Sequence, residues 1–287
     1  MYSKKVKLTG QGLPEELRRI PSPPKQLFCR GADLAELMGR PRVAIVGSRS
    51  VTPYGRQVTS QLAAELAGQD IVIISGLAIG VDAIAHQAAV EAGGLAIAVL
   101  PGPVDKVYPA TNRRLAERIL AQGGALISEY EVEEFSFKQN FVARNRLVAG
   151  LAQALLITEA AEKSGSLHTA RFALEQGKDV LAVPGNITSQ VSVGTNNLLK
   201  TGAMPVTSYQ DVLHALGLHD HQTPAREVRG RNAHEQTVLD LLLRGINDGQ
   251  ALLERSALSV SEFNQALTML EIGGKIRALG GNHWALQ

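Results

Sequence analysis

The stretch Arg42-Val-Ala-Ile-Val-Gly-Ser-Arg-Ser50, followed by Thr52-Pro53 and a helical pattern to residue 68, decides the fold. Its apolar part shows no polar alternation, so a strand there is buried on both faces, as in a parallel sheet. The same unit recurs downstream. Short aliphatic runs lie at 71–76, 95–100, 125–128, 154–158 and 180–183, and helical patterns fill 81–92, 111–122, 142–152 and 166–176. Strand and helix alternating at this spacing predict an α/β fold with a doubly wound, mainly parallel sheet, whose ligands bind outside the carboxyl ends of the strands.

Outward from this core, residues 1–40 are expected to form an N-terminal arm and 41–216 the main domain. Residues 217–233, without hydrophobic periodicity, are read as a linker. Within 234–287, three short helical patterns and an alternating stretch around Gly280-Gly-Asn282 make a small C-terminal winged-helix domain. Its expected recognition helix, 259–272, carries two Glu and no Lys or Arg. That charge suits a DNA groove poorly, so the module is expected to serve a protein contact or to stabilise the fold.

The chain has 287 residues, 45% of them hydrophobic and 20% charged, which excludes disorder throughout. No apolar run has membrane-spanning length and the start has no signal-peptide pattern, which points to a cytoplasmic protein without membrane partners. The single cysteine, Cys29, has no partner for a disulfide or a thiolate metal site and is read as passive. The net charge of +2 is carried by residues 1–40, with eight basic and four acidic side chains, whereas 41–217 hold 14 and 15. Any nucleic-acid site is therefore a local cluster.

Four clusters follow the predicted strands. Gly47-Ser48-Arg49 combines close backbone approach, a helix N-terminus and a guanidinium, a phosphate site on physical grounds. In Ser75-Gly-Leu-Ala-Ile-Gly-Val-Asp-Ala-Ile-Ala-His86, Asp82 and His86 share a helix face. They are read as structural, Asp82 as a cap or first-turn anion, rather than as an acid/base or metal pair. Residues 135–146 interleave Phe135, Phe137 and Phe141 with Lys138, Arg144 and Arg146, three of the six Phe in the chain. Rings for stacking beside cations for the backbone suit single-stranded nucleic acid, although two of the rings could equally plug the core. Ser164-Gly165-Ser166 precedes a helix as a further set of phosphate donors, with Glu159 and Glu162 close by in sequence.

In order, these motifs resemble the DprA/Smf family of DNA-processing proteins of bacterial natural transformation. The strings are VAIVGSR (43–49), SGLAIGVDAIAH (75–86), YP (108–109), RNRLVAGL (144–151), EAAEKSGSLHTA (159–170), AVPG (182–185) and GTNNLLKTGA (194–203). The resemblance implies an extended Rossmann-like domain, not an enzyme and without a cofactor or metal, that binds and protects single-stranded DNA and loads the RecA recombinase. Its pocket would use Gly47, Ser48, Arg49, Lys138, Phe141, Arg144, Asn145, Ser164 and Ser166. A homodimer contact would involve Asn196, Leu199 and Pro205. A helical N-terminal domain common in the family is expected to be missing or reduced to an arm, since about 40 residues precede the first predicted strand. The competing reading is a nucleotide-processing, phosphoribohydrolase-like enzyme on the same sheet. Its P-G-G-x-G-T-x-x-E motif is replaced here by KSGSLHTA.

Overall fold

Along the first predicted strand, Ala44 and Val46 belong to one apolar cluster and Val43 and Ile45 to another. All four are buried, so one strand supplies both cores by the two-residue alternation of its side chains. The computed structural model describes residues 5–131, 138–218, 230–280 and 282–286, and the chain divides into two units, Met1–Asp220 and His221–Gln287.

The larger unit runs β1 (Val6–Thr9), α1 (Glu15–Arg18), β2 (Gln26–Gly31), α2 (Leu34–Met38), β3 (Arg42–Val46), α3 (Pro53–Gly68), β4 (Val72–Ser75), α4 (Val81–Glu91) and β5 (Ala96–Val99). It continues with α5 (Arg113–Ala121), β6 (Ala125–Ser128), α6 (Lys138–Leu151), β7 (Ala154–Ile157), α7 (Ser166–Glu175), β8 (Asp179–Ala182), α8 (Val193–Lys200), β9 (Met204–Pro205) and α9 (Tyr209–Ala215). The nine strands form one sheet in the order β1-β2-β6-β5-β4-β3-β7-β8-β9. Strands β3 to β9 pair in parallel, and β1 and β2 add an antiparallel edge. The six predicted strands are all present. Strand order reverses between β3 and β7, so the loops after these two strands flank the crevice where such sheets bind ligands.

The segment expected to be an arm instead supplies β1 and β2 to this sheet. Leu17, Ile20 and Leu27 bury their side chains in the cluster that holds Ala44 and Val46. Arg42 fastens the segment: its Nε donates to the Leu151 carbonyl at 2.9 Å and its Nη2 to Glu16 Oε1 at 2.8 Å. Cys29 is buried on β2, and burial, with Asp33 nearby, pushes its thiol up to about 12, consistent with a passive residue.

The smaller unit packs α10 (Ala233–Leu243), α11 (Gly249–Ser256) and α12 (Val260–Ile272) with the antiparallel hairpin β10 (Ile276–Gly280) and β11 (His283–Leu286), a winged helix. Leu242, Leu252, Phe263, Leu267 and Ile276 fill its core. At the start of α12 the Glu262 carboxylate accepts from the Ser259 amide at 2.9 Å, so this acid acts as a capping group. Helix α12 leaves Val260, Met269 and Ile272 exposed and has no Lys or Arg. Among the described residues no helix is long and apolar enough to cross a membrane, and no group of three or more His, Cys, Asp or Glu is placed to hold a metal ion.

Candidate nucleic-acid interface

The loop after β3 is fixed before it meets any ligand. Ser48 donates its amide to the Glu159 carbonyl at 2.7 Å, its hydroxyl to the Ser50 carbonyl at 2.9 Å, and its own carbonyl accepts from Val81 at 3.1 Å. Gly80 permits that approach. It sits at φ +87°, and a Cβ there would lie 2.3 Å from the Ser48 carbonyl oxygen. Arg49 follows, exposed, with its guanidinium carbon 5.4 Å from the centre of the Phe141 ring. This is cation–π distance, on the first turn of α6, and it joins two of the predicted clusters. Tyr108, in the loop after β5, meets the same ring edge-on, with centroids 5.5 Å apart and planes at 75°.

Arg144 lies one helical turn after Phe141. It is buried, and its Nη1 donates to the carbonyl of Gly76, after β4, at 2.6 Å and to that of Val99 at the end of β5. Gly76 makes room for it, because a Cβ there would stand 2.2 Å from Nη2. Burial lowers the guanidinium to about 10; the buried Asp82 carboxylate opposes the shift and the Arg49 charge adds to it. The two cations lie close enough for the Arg49 charge to act on Arg144. Asp82, in the first turn of α4, accepts from the Gly76 amide at 3.0 Å, and burial raises its carboxyl above the usual range against the pull of Arg144. Asp82 thus lies buried behind the loop, bonded to Gly76 and close to the Arg144 charge.

The loop after β7 closes the other side. Glu159 is buried, and its carboxylate takes the Thr52 amide at 2.9 Å and the Thr52 hydroxyl at 2.5 Å. Its charge is spent on the N-terminus of α3. The hydroxyls of Ser164 and Ser166 share a hydrogen bond at 2.8 Å, with Ser166 buried, and Asn145 donates to the Gly165 carbonyl at 3.5 Å. The structure thus gathers Gly47, Ser48, Arg49 and Phe141 on one side and Asn145, Ser164 and Ser166 on the other, with Arg144 beneath. Phe135 and Phe137 lie outside the described residues, as does the side chain of Lys138. Tyr108 was legible only as part of a motif. Asn196 grips Gly185 with both amide atoms, each at 3.1 Å, while Leu199 is half-buried and Pro205 exposed on edge strand β9.

His86 shares the buried layer with Asp82 and Arg144. Burial pushes its ring down to about 4 from 6.5, with the Ser75 backbone opposing and Arg144 adding to the shift. A depressed pKa contributes stability that is present above pH 6.5 and lost as pH falls through 4. Asp82, with a raised pKa, acts with the opposite sign and Arg144 stays charged. The melting temperature should therefore fall less between about pH 7 and 5 in His86→Leu than in the parent chain; an equal fall would remove His86 from the acid response.

Residues 6–217 match the family model for DNA recombination-mediator protein A, and 222–282 that of the DprA winged helix domain. Protein Smf of Escherichia coli K12 is 37% identical over 254 residues, 86% of this chain and 68% of that protein. The X-ray structure of DNA processing protein A from Streptococcus pneumoniae superposes with a TM-score of 0.68 at 39% identity, covering 74% of each chain. A structure of the Helicobacter pylori protein, described for the unique single-stranded DNA binding mode of that protein, gives 0.68 at 37% identity, covering 76% of this chain and 98% of that one. With matches running through both the sheet unit and the winged-helix unit, this chain belongs to the DNA recombination-mediator protein A family, the DprA/Smf proteins.

Proposed function

We propose that the chain binds single-stranded DNA without sequence preference, protects it, and loads a RecA-type recombinase during natural transformation, as a cytoplasmic homodimer and not as an enzyme. One observation carries the reading: an exposed guanidinium stacked on a phenyl ring, with a second guanidinium buried behind, at the switch point of a parallel sheet. A ring offers any base its face and the cations hold the backbone, which is the chemistry of sequence-tolerant strand binding. The single-strand binding mode described for the H. pylori relative supports it. The pocket comprises Gly47, Ser48, Arg49, Lys138, Phe141, Arg144, Asn145, Ser164 and Ser166. Arg144 acts from beneath, and Ser164 offers the more accessible of the two serine hydroxyls. Dimerisation through α8 and β9, by Leu199 and Pro205 with Asn196 as a brace, would place two pockets on one strand and raise avidity.

The engagement of Glu159 with Thr52 supports the non-enzymatic reading, since that carboxylate is buried and bonded rather than poised over a substrate. The sheet unit, including the β1 and β2 that precede residue 41, is taken as the DNA-binding domain, 217–233 as the linker and 234–287 as a module for protein contact or stability. Labelled oligo-dT titrated by fluorescence anisotropy should bind and resist competition by a matched duplex. Equal affinity for both, or none for either, would contradict the reading and direct the search to nucleotide hydrolysis.

A further inference from the structure

We propose that Tyr108 is a second base-stacking residue of this interface, one that turns the strand where it crosses Phe141; the inference rests on the single-strand reading above. Tyr108 leaves 52% of its surface exposed, although a large ring of this kind ordinarily buries most of its area. Its exposure is not that of a loose loop. The Asn112 amide donates to the Pro109 carbonyl at 3.0 Å, and Asn112 Nδ2 donates to the Leu77 carbonyl at 2.9 Å, pinning the segment to the loop after β4. Phe141 then packs against the ring in a T-shaped pair, with centroids 5.5 Å apart.

Phe141 is the less accessible of the two rings and already carries Arg49 over its face, so the more open stacking surface belongs to Tyr108. The rings stand 75° apart. Two neighbouring bases, one on each ring, cannot stay parallel to each other, so a strand using both is unstacked and bent at this step. Bases within a duplex have their faces covered by neighbours and cannot reach either ring without being extruded. The ligand is therefore a single-stranded oligonucleotide of any base composition, and Tyr108 contributes to rejecting the duplex.

The experiment compares Tyr108→Leu, Tyr108→Phe and Tyr108→Trp with the parent chain on labelled oligo-dT over a range of salt. Stacking contributions per base correspond to about 5- to 150-fold in affinity. Tyr108→Leu should lose about tenfold with an unchanged salt slope, since no phosphate contact is removed. Tyr108→Phe should bind like the parent, and Tyr108→Trp should bind at least as well with its fluorescence quenched by the oligonucleotide. Parent-like affinity in Tyr108→Leu, or no quenching in Tyr108→Trp, overturns the role of Tyr108 while leaving the single-strand reading intact if Arg49→Ala still loses binding. A reduced salt slope in Tyr108→Leu also overturns it, because the effect would then run through displaced cations. Absent binding of oligo-dT by the parent removes the underlying reading and this inference with it.

Discussion

Replacing Arg49 with Ala should weaken binding of oligo-dT on the order of tenfold to a hundredfold and flatten the salt dependence. Hydrogen bonds to charged groups contribute roughly 1.5–3 kcal/mol, and 1.4 kcal/mol is tenfold in affinity. Each phosphate neutralised on a single strand adds about 0.7 to the slope of log affinity against log salt, so losing one cation should remove about that much. The side chain is exposed and its loop is held by the backbone bonds of Ser48, so the fold survives the change. Phe141 would lose its cation but keep its face. Arg49→Lys, which retains the charge but not the planar fork, should recover the slope and only part of the affinity. An unaltered slope in Arg49→Ala would show that Arg49 does not meet the phosphate backbone.

Arg144→Ala should act on a different observable, destabilising the chain by about 3–5 kcal/mol, the usual cost of removing one partner from a buried charge arrangement. On a domain of this size that is on the order of a 10 °C fall in melting temperature. The carbonyls of Gly76 and Val99 lose their donor, and Asp82 is left buried without the cation that favours its charged form. Burial then drives Asp82 further toward the neutral acid. Gly76→Ala tests the same packing from the other side, since its new methyl would enter the space of the guanidinium. Both variants should unfold at lower denaturant than the parent, and Asp82→Asn, which keeps the shape, should be milder than Arg144→Ala. A full loss of DNA binding in Arg144→Ala with parent-like stability would instead make Arg144 a direct ligand.

The sheet was readable because its central strands are buried on both faces, and unbroken runs such as Val43-Ala-Ile-Val46 have no other comfortable place. The antiparallel edge was not. Strand β1 is four residues long, mostly exposed and carries Lys7, a pattern that edge strands use to stay solvated and that resembles a charged arm. What ties that segment down is Arg42, whose sequence neighbours say nothing about Leu151 or Glu16. At the interface, spacing identified Arg49 and Phe141 as the right chemistry on separate loops. Their contact across 92 positions depends on the sheet bringing the ends of β3 and α6 together.

Arg144 shows the limit from the opposite direction. The sequence set it among the cations interleaved with rings in 135–146, but gave no sign that its guanidinium would be buried on two carbonyls. Burial depends on Gly76 lacking a side chain, a long-range fact. Glu159 reads as an unfavourable charge beside a phosphate loop until Thr52 is seen to take both its oxygens.

A single strand should touch this chain at the carboxyl ends of the central strands. Oligo-dT carrying 5-iododeoxyuridine, photo-crosslinked to this chain and mapped by mass spectrometry, measures that. The predicted adducts fall in the peptides that hold Arg49, Tyr108 and Phe141, and they disappear when unlabelled oligo-dT competes. Adducts confined to α12 and the β10–β11 hairpin would move the interface to the winged helix and contradict the account.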